Sequence, residues 1–213
     1  MTGWEAALPG QLIGSLIGGA FGFIYVEVNA GALPGAAAWA VRVLGVVALA
    51  ALLLAARRRS VDAAARGTDT EGDVVPGAGT RHDTGPSGAR GPAFGRGYWI
   101  VVVVEFLAIF AGVRLLAGPL DRPEAGVAWV SLVVGVHFFA LAVHFARRFF
   151  HVLGAAIALS GVVGLVIDFA GGSAAVVAVV AGIIPGATLM AFAGWGLHTR
   201  APSLLAEQSR DRT

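Results

Sequence analysis

Three side chains between positions 105 and 144 have the types and spacing to handle protons. Glu105 interrupts an apolar run near 98–116, and His137 and His144 lie in the next apolar run, near 127–145. If both runs are helices, the two histidines sit almost two turns apart and project from one face, and an antiparallel neighbour sets that face against Glu105. At about 1.5 Å of rise per residue, Glu105 lies about 10 Å from the inner end of its helix, between His144 at about 5 Å and His137 at about 15 Å. A carboxylate beside imidazoles is a proton acceptor and donor set that works near neutral pH. The alternative is a carboxyl group that hydrogen-bonds a histidine or a backbone carbonyl only to lock two helices together. His151 continues the spacing but falls beside Arg147 and Arg148, where solvent reaches it. No haem is expected, because bis-histidine haem needs ligands facing each other from different helices. No metal site is expected either, since residues two turns apart are about 10 Å apart along the axis while metal bonds are near 2 Å.

A second charged group, Glu27, Arg42, Arg114 and Asp168, lies toward the opposite boundary of the apolar runs. Two acids facing two bases can stay charged in a bilayer by mutual neutralisation, which would tie the first, second, third and fifth helices together. The same four residues could instead line an entry site for a solute or ion. Zero cysteines exclude disulfides, thiolate metal sites and cysteine nucleophiles. No H-E-x-x-H, G-x-S-x-G or G-x-x-x-x-G-K motif occurs, so no familiar enzyme chemistry is written in the chain.

The elements that position these groups follow from composition. With 57% hydrophobic and 13% charged residues in 213, the chain has too few charges to cover a water-soluble globule. The net charge of +2 does not indicate nucleic acid, because the basic residues, all arginine, flank apolar runs instead of forming a patch. A helix of about 20 apolar residues crosses the hydrocarbon. Six stretches qualify, near 12–30, 36–56, 98–116, 127–145, 152–170 and 174–197. Short turns at Asn29 to Pro34, Gly118 to Pro123 and Gly171 to Ser173 pair them into three hairpins. Met1 to Gly10 contain Glu5 and no basic residue, so no cleavable signal peptide is expected. With both termini inside, twelve arginines fall in the cytoplasm and only Arg122 outside, the asymmetry that sets orientation. Tyr98, Trp99 and Trp195 then mark the inner interface, and Trp39 and Trp129 the outer one.

The expectation is therefore an all-α, polytopic protein of the cell membrane, with the lipid bilayer as its main partner. Residues 1–56 form the first hairpin and 57–97 a disordered cytoplasmic linker. Residues 98–200 form the second and third hairpins, and 201–213 a cytoplasmic tail. The linker is rich in Gly, Thr, Asp, Arg and Pro and cannot bury enough surface to fold alone. Gly10, Gly14, Gly18 and Gly22 recur every four residues and strip side chains from one face of the first helix, a surface for packing within the chain or in a homo-oligomer. Gly182, Pro185 and Gly186 repeat the small-residue spacing in the sixth span and predict a kink.

Each hairpin reads as apolar helix with glycines, short turn, apolar helix and arginine, as from Tyr98 through Gly112, Pro119 and Gly135 to Arg147. This organisation resembles the HdeD-like membrane proteins, small six-span bacterial proteins. The resemblance implies a role in envelope stress and no catalytic residues. Two functions thus stand open: a non-enzymatic structural or stress-protective membrane protein, and a proton-linked small-solute carrier or channel built on Glu105, His137 and His144. Matching Gly and Pro breaks in related halves, which mark many transporter sites, are missing, with Gly182 to Gly186 the one partial exception, and this slightly favours the first.

Overall fold

The computed structural model describes residues 10–69, 96–145 and 148–198; the side chains at 10, 11, 13, 63–69, 96–98, 144, 145, 148 and 198 lie outside that description. The described residues are helices and short turns with no strand. In order they are α1 (Gly10–Ala30), α2 (Gly35–Asp69), α3 (Arg96–Ala117), α4 (Ala125–Phe145), α5 (Arg148–Phe169), α6 (Ala174–Ala178) and α7 (Ile184–His198). A π-helical turn (Val179–Ile183) joins α6 to α7. Five stretches, Gly35–Asp62, Trp99–Ala117, Ala125–Val143, Phe149–Phe169 and Ala174–Leu197, are long and apolar enough to cross a membrane. α1 adds a helix of 21 residues. The chain is all-helical and built for a lipid environment. Runs such as Val101 to Val104 would favour strands in water. In hydrocarbon a helix bonds every backbone group internally, and that requirement outweighs the propensity.

α2 continues to Asp69, well past the predicted span end at 56. Its extension begins with the helix formers Ala55 to Arg59, and the Ser60 hydroxyl donates to the Arg57 carbonyl at 2.8 Å. The predicted linker thus starts as helix, and residues 70–95 and the tail 201–213 lie outside the described residues. At 35 residues, α2 is about 50 Å long and overshoots a hydrocarbon core of about 30 Å.

Helix packing is carried by small residues. α4 and α5 share the most extensive contact. A Cβ on Gly135 would overlap the backbone of Ala158, one on Gly161 the backbone of Leu132, and one on Gly154 would lie 2.8 Å from the Gly135 carbonyl oxygen. α1 lies against α7, where Gly22 and Gly186 meet: a Cβ on either would come within 2.7 Å of the other's carbonyl oxygen. The buried line on α1 is Leu12, Ser15, Gly19, Gly22, Val26 and Asn29. This differs from the predicted face. Gly22 belongs to it, Gly18 only borders Ala193 at 4.0 Å, and Gly14 has nothing within 4 Å; Gly10 begins α1 but its surroundings are outside the description. Steps of four residues advance about 40° around a helix each time, so a strict four-residue repeat spirals away, whereas alternating three and four keeps one face.

α3 packs chiefly on α4. Trp129, read from the sequence as an interface anchor, instead turns inward: its indole Nε1 donates to the Ala108 carbonyl at 2.9 Å and occupies the space left by the missing side chain of Gly112. Near the other ends of these helices, Phe149 packs on Phe192 (ring centroids 4.8 Å apart) and Trp195 (5.9 Å), joining α5 to α7.

Candidate functional site

α3 and α4 bring Glu105 and His137 together. The imidazole Nδ1 lies 2.9 Å from a Glu105 carboxylate oxygen, with the side chains 14% and 19% exposed for His137 and Glu105 respectively. The contact is short, but Nδ1 makes no aligned hydrogen bond, and it is an ion pair only with the imidazole protonated. His144 lies farther along α4 and its side chain is outside the description. His151 belongs to α5, is exposed, and sets its ring 5.9 Å from that of Phe139. Chemically, the Glu105 and His137 pair can share a proton. Mechanically, it fastens α3 to the helix on which it packs.

The second charged group does not gather as one cluster. Glu27 on α1 faces Arg42 on α2 at 3.8 Å, and its other carboxylate oxygen, beside Gly45, has no hydrogen-bond partner. Arg114 turns its guanidinium over the Phe110 ring, 5.2 Å from the centroid. Asp168 pairs with Arg122 at 3.6 Å. Arg122 also donates from Nη1 to the Asp168 carbonyl at 2.8 Å and lies over the Phe169 ring at 5.5 Å. The physical reason for this exchange of partners is the turn after α3. There Asp121 adopts a left-handed backbone (φ 50°) and the Arg122 N–H donates back to the Leu116 carbonyl at 2.7 Å, which swings Arg122 toward the end of α5.

A third polar group was missed in the sequence. The Tyr25 hydroxyl donates to the Val127 carbonyl at 2.8 Å and lies 2.9 Å from the Ser131 hydroxyl. The Ser131 hydroxyl in turn donates to the Ala181 carbonyl. Asn29 donates to the Tyr25 carbonyl at 2.7 Å and fills the space above Gly182. The signal was present: Pro185 has no N–H, so the carbonyl four residues before it, Ala181, lacks its helical donor. The predicted kink region contains the π-helical turn at this place. One hydroxyl thus repairs the break and joins α1, α4 and the turn before α7.

No family model, curated protein or solved structure matches the chain.

The turns also border a shallow, open surface depression of about 580 Å³, lined on its polar side by Asp121, Arg122, Glu124 and Asp168 beside the start of α6.

Proposed function

We propose that this chain is a non-enzymatic, six-span protein of the cell membrane, arranged as three hairpins with both termini cytoplasmic, whose role is structural or protective in the envelope. One observation carries the reading: each ion pair among the described residues links two different elements, Glu27 with Arg42, Glu105 with His137, and Asp168 with Arg122. Charges used in this way hold helices together, since in lipid no hydrophobic force between helices does so. The resemblance to HdeD-like proteins points in the same direction, toward envelope stress. A second reading, a proton-linked carrier for a small solute, is favoured by the approach of Glu105 and His137.

A stability cycle tests the structural tie. Glu105→Gln and His137→Gln are unfolded in mixed micelles singly and together. A structural tie gives a coupling energy of about 0.5–1.5 kcal/mol; single losses that simply add contradict it. Orientation is tested by labelling, for which a chain without cysteine is well suited. Ala32→Cys and Pro119→Cys react with an impermeant maleimide from outside the cell, and Thr213→Cys does not. The reverse pattern overturns the proposed orientation.

A further inference from the structure

Arg57, Arg58 and Arg59 are consecutive on α2, and at about 100° per residue they sweep about 200° of the helix circumference. Ala56 faces the bundle, packed with Leu12 of α1 and Leu197 of α7, so the arginines take the remaining directions. Arg57 and Arg58 are exposed and Arg59 is half-buried. The ion pairs among the described residues all lie elsewhere. Asp62, the only acid among the described side chains of this extension, leaves the positive charge in surplus.

Position selects what these charges meet. Trp39, exposed near the start of α2, and Arg57 are separated by about 27 Å along the helix, close to the thickness of the hydrocarbon. With the indole at one interface, the arginines reach the other. Trp195, exposed on α7 just before Leu197, sets an amphipathic ring at the same level as Ala56. Val43, Val47 and Leu54 expose apolar side chains along the face of α2 opposite Ala56, and Arg58 continues that line one turn beyond Leu54. A lipid that covers these side chains places its headgroup at Arg58. A phosphate accepts the paired N–H donors of a guanidinium. A zwitterionic headgroup brings its own cation to compete for that phosphate, whereas an anionic headgroup brings none. We infer that Arg57, Arg58 and Arg59 bind the phosphate of an anionic lipid headgroup in the surrounding membrane. This binding requires only that α2 crosses the bilayer, as read above, and neither the role nor the orientation proposed there, so its failure leaves the six-span reading intact.

The test uses the full chain in nanodiscs of mixed phosphatidylglycerol and phosphatidylcholine, with the same mixture in both leaflets so that orientation has no effect. Native mass spectrometry counts the lipids that leave with the protein. The wild type should retain phosphatidylglycerol preferentially, and the preference should weaken as salt is raised, because exposed charges are screened. Arg57→Gln with Arg58→Gln and Arg59→Gln should lower the preference by about tenfold or more, and Arg58→Gln alone by about threefold. Arg58 points away from the bundle, so the single variant keeps the test decisive where the triple variant fails to fold. Arg114→Gln, toward the opposite end of the molecule, should leave the preference unchanged. No preference in the wild type, a preference that Arg58→Gln leaves untouched, or an equal fall in Arg114→Gln overturns the inference. A wild type that binds polyglutamate in phosphatidylcholine discs and shows no phosphatidylglycerol preference overturns it in favour of an acidic protein partner.

Discussion

Replacing Ser131 by alanine removes one hydroxyl, and the structure states what that hydroxyl holds. It donates to the Ala181 carbonyl, which Pro185 leaves without a helical donor, and it lies 2.9 Å from the Tyr25 hydroxyl. Tyr25 keeps its bond to the Val127 carbonyl at 2.8 Å, so the loss is concentrated on Ala181. An unsatisfied buried carbonyl costs about 1–3 kcal/mol in soluble proteins, but interhelical hydrogen bonds in membranes average about 0.6 and reach about 1.7 kcal/mol. The expected loss for Ser131→Ala is therefore about 1 kcal/mol, toward the upper part of the membrane range because Ala181 is fully buried. Unfolding in mixed micelles, followed by tryptophan fluorescence, measures it. The informative comparison is Pro185→Ala, which returns an N–H to the helix and offers Ala181 a local donor. In that background Ser131→Ala should cost at most about half as much. An equal cost in both backgrounds, within about 0.3 kcal/mol, would refute the argument that Ser131 acts by repairing the proline break.

Packing gives sharper contrasts. Gly161→Ala drives a methyl into the backbone of Leu132 and should destabilise by about 1–3 kcal/mol, whereas Gly14→Ala enters open space and should be neutral or stabilising by up to about 1 kcal/mol in the same unfolding assay. Trp129→Phe loses the bond to the Ala108 carbonyl and should cost about 0.5–1.5 kcal/mol beyond the change in buried area; Gly112→Ala, which displaces the same indole, should shift tryptophan emission as well as stability. Arg122→Gln leaves the Asp168 carboxylate buried without its partner, and because Arg122 is itself partly exposed the loss should be about 1–2 kcal/mol. Adding Asp168→Asn should recover part of it; a further loss on adding it would contradict the pairing.

The helical architecture was legible because apolar runs of bilayer length leave the backbone no alternative to helix. Depth counting from helix ends also places Glu105 level with the histidines of α4, since neighbouring antiparallel helices share one length scale. What the sequence did not disclose depended on rotation about helix axes and on turn paths. Gly14 and Gly22 look alike in the repeat, yet one faces open space and the other the Gly186 carbonyl. Arg122 and Arg114 look equally suited to Asp168, and only the left-handed backbone at Asp121 decides between them. Ser131 and Tyr25 carry no charge and stand in apolar runs, so nothing but the missing N–H of Pro185 hinted at their partner. The end of α2 was misjudged for a different reason: alanine and arginine favour helix in water as well as in lipid, so polarity marks where hydrocarbon ends and not where the helix does.

Proton flux tests the central claim that the buried charges are ties between helices. Purified protein is reconstituted into liposomes, and flux is recorded under an imposed potential between roughly pH 5 and pH 8, the range in which histidine titrates, for the wild type and Glu105→Gln. The account predicts no flux above empty liposomes from either protein, with Glu105→Gln less stable than the wild type. A flux that the wild type supports and a folded Glu105→Gln abolishes would contradict it and make the Glu105 and His137 pair a proton path.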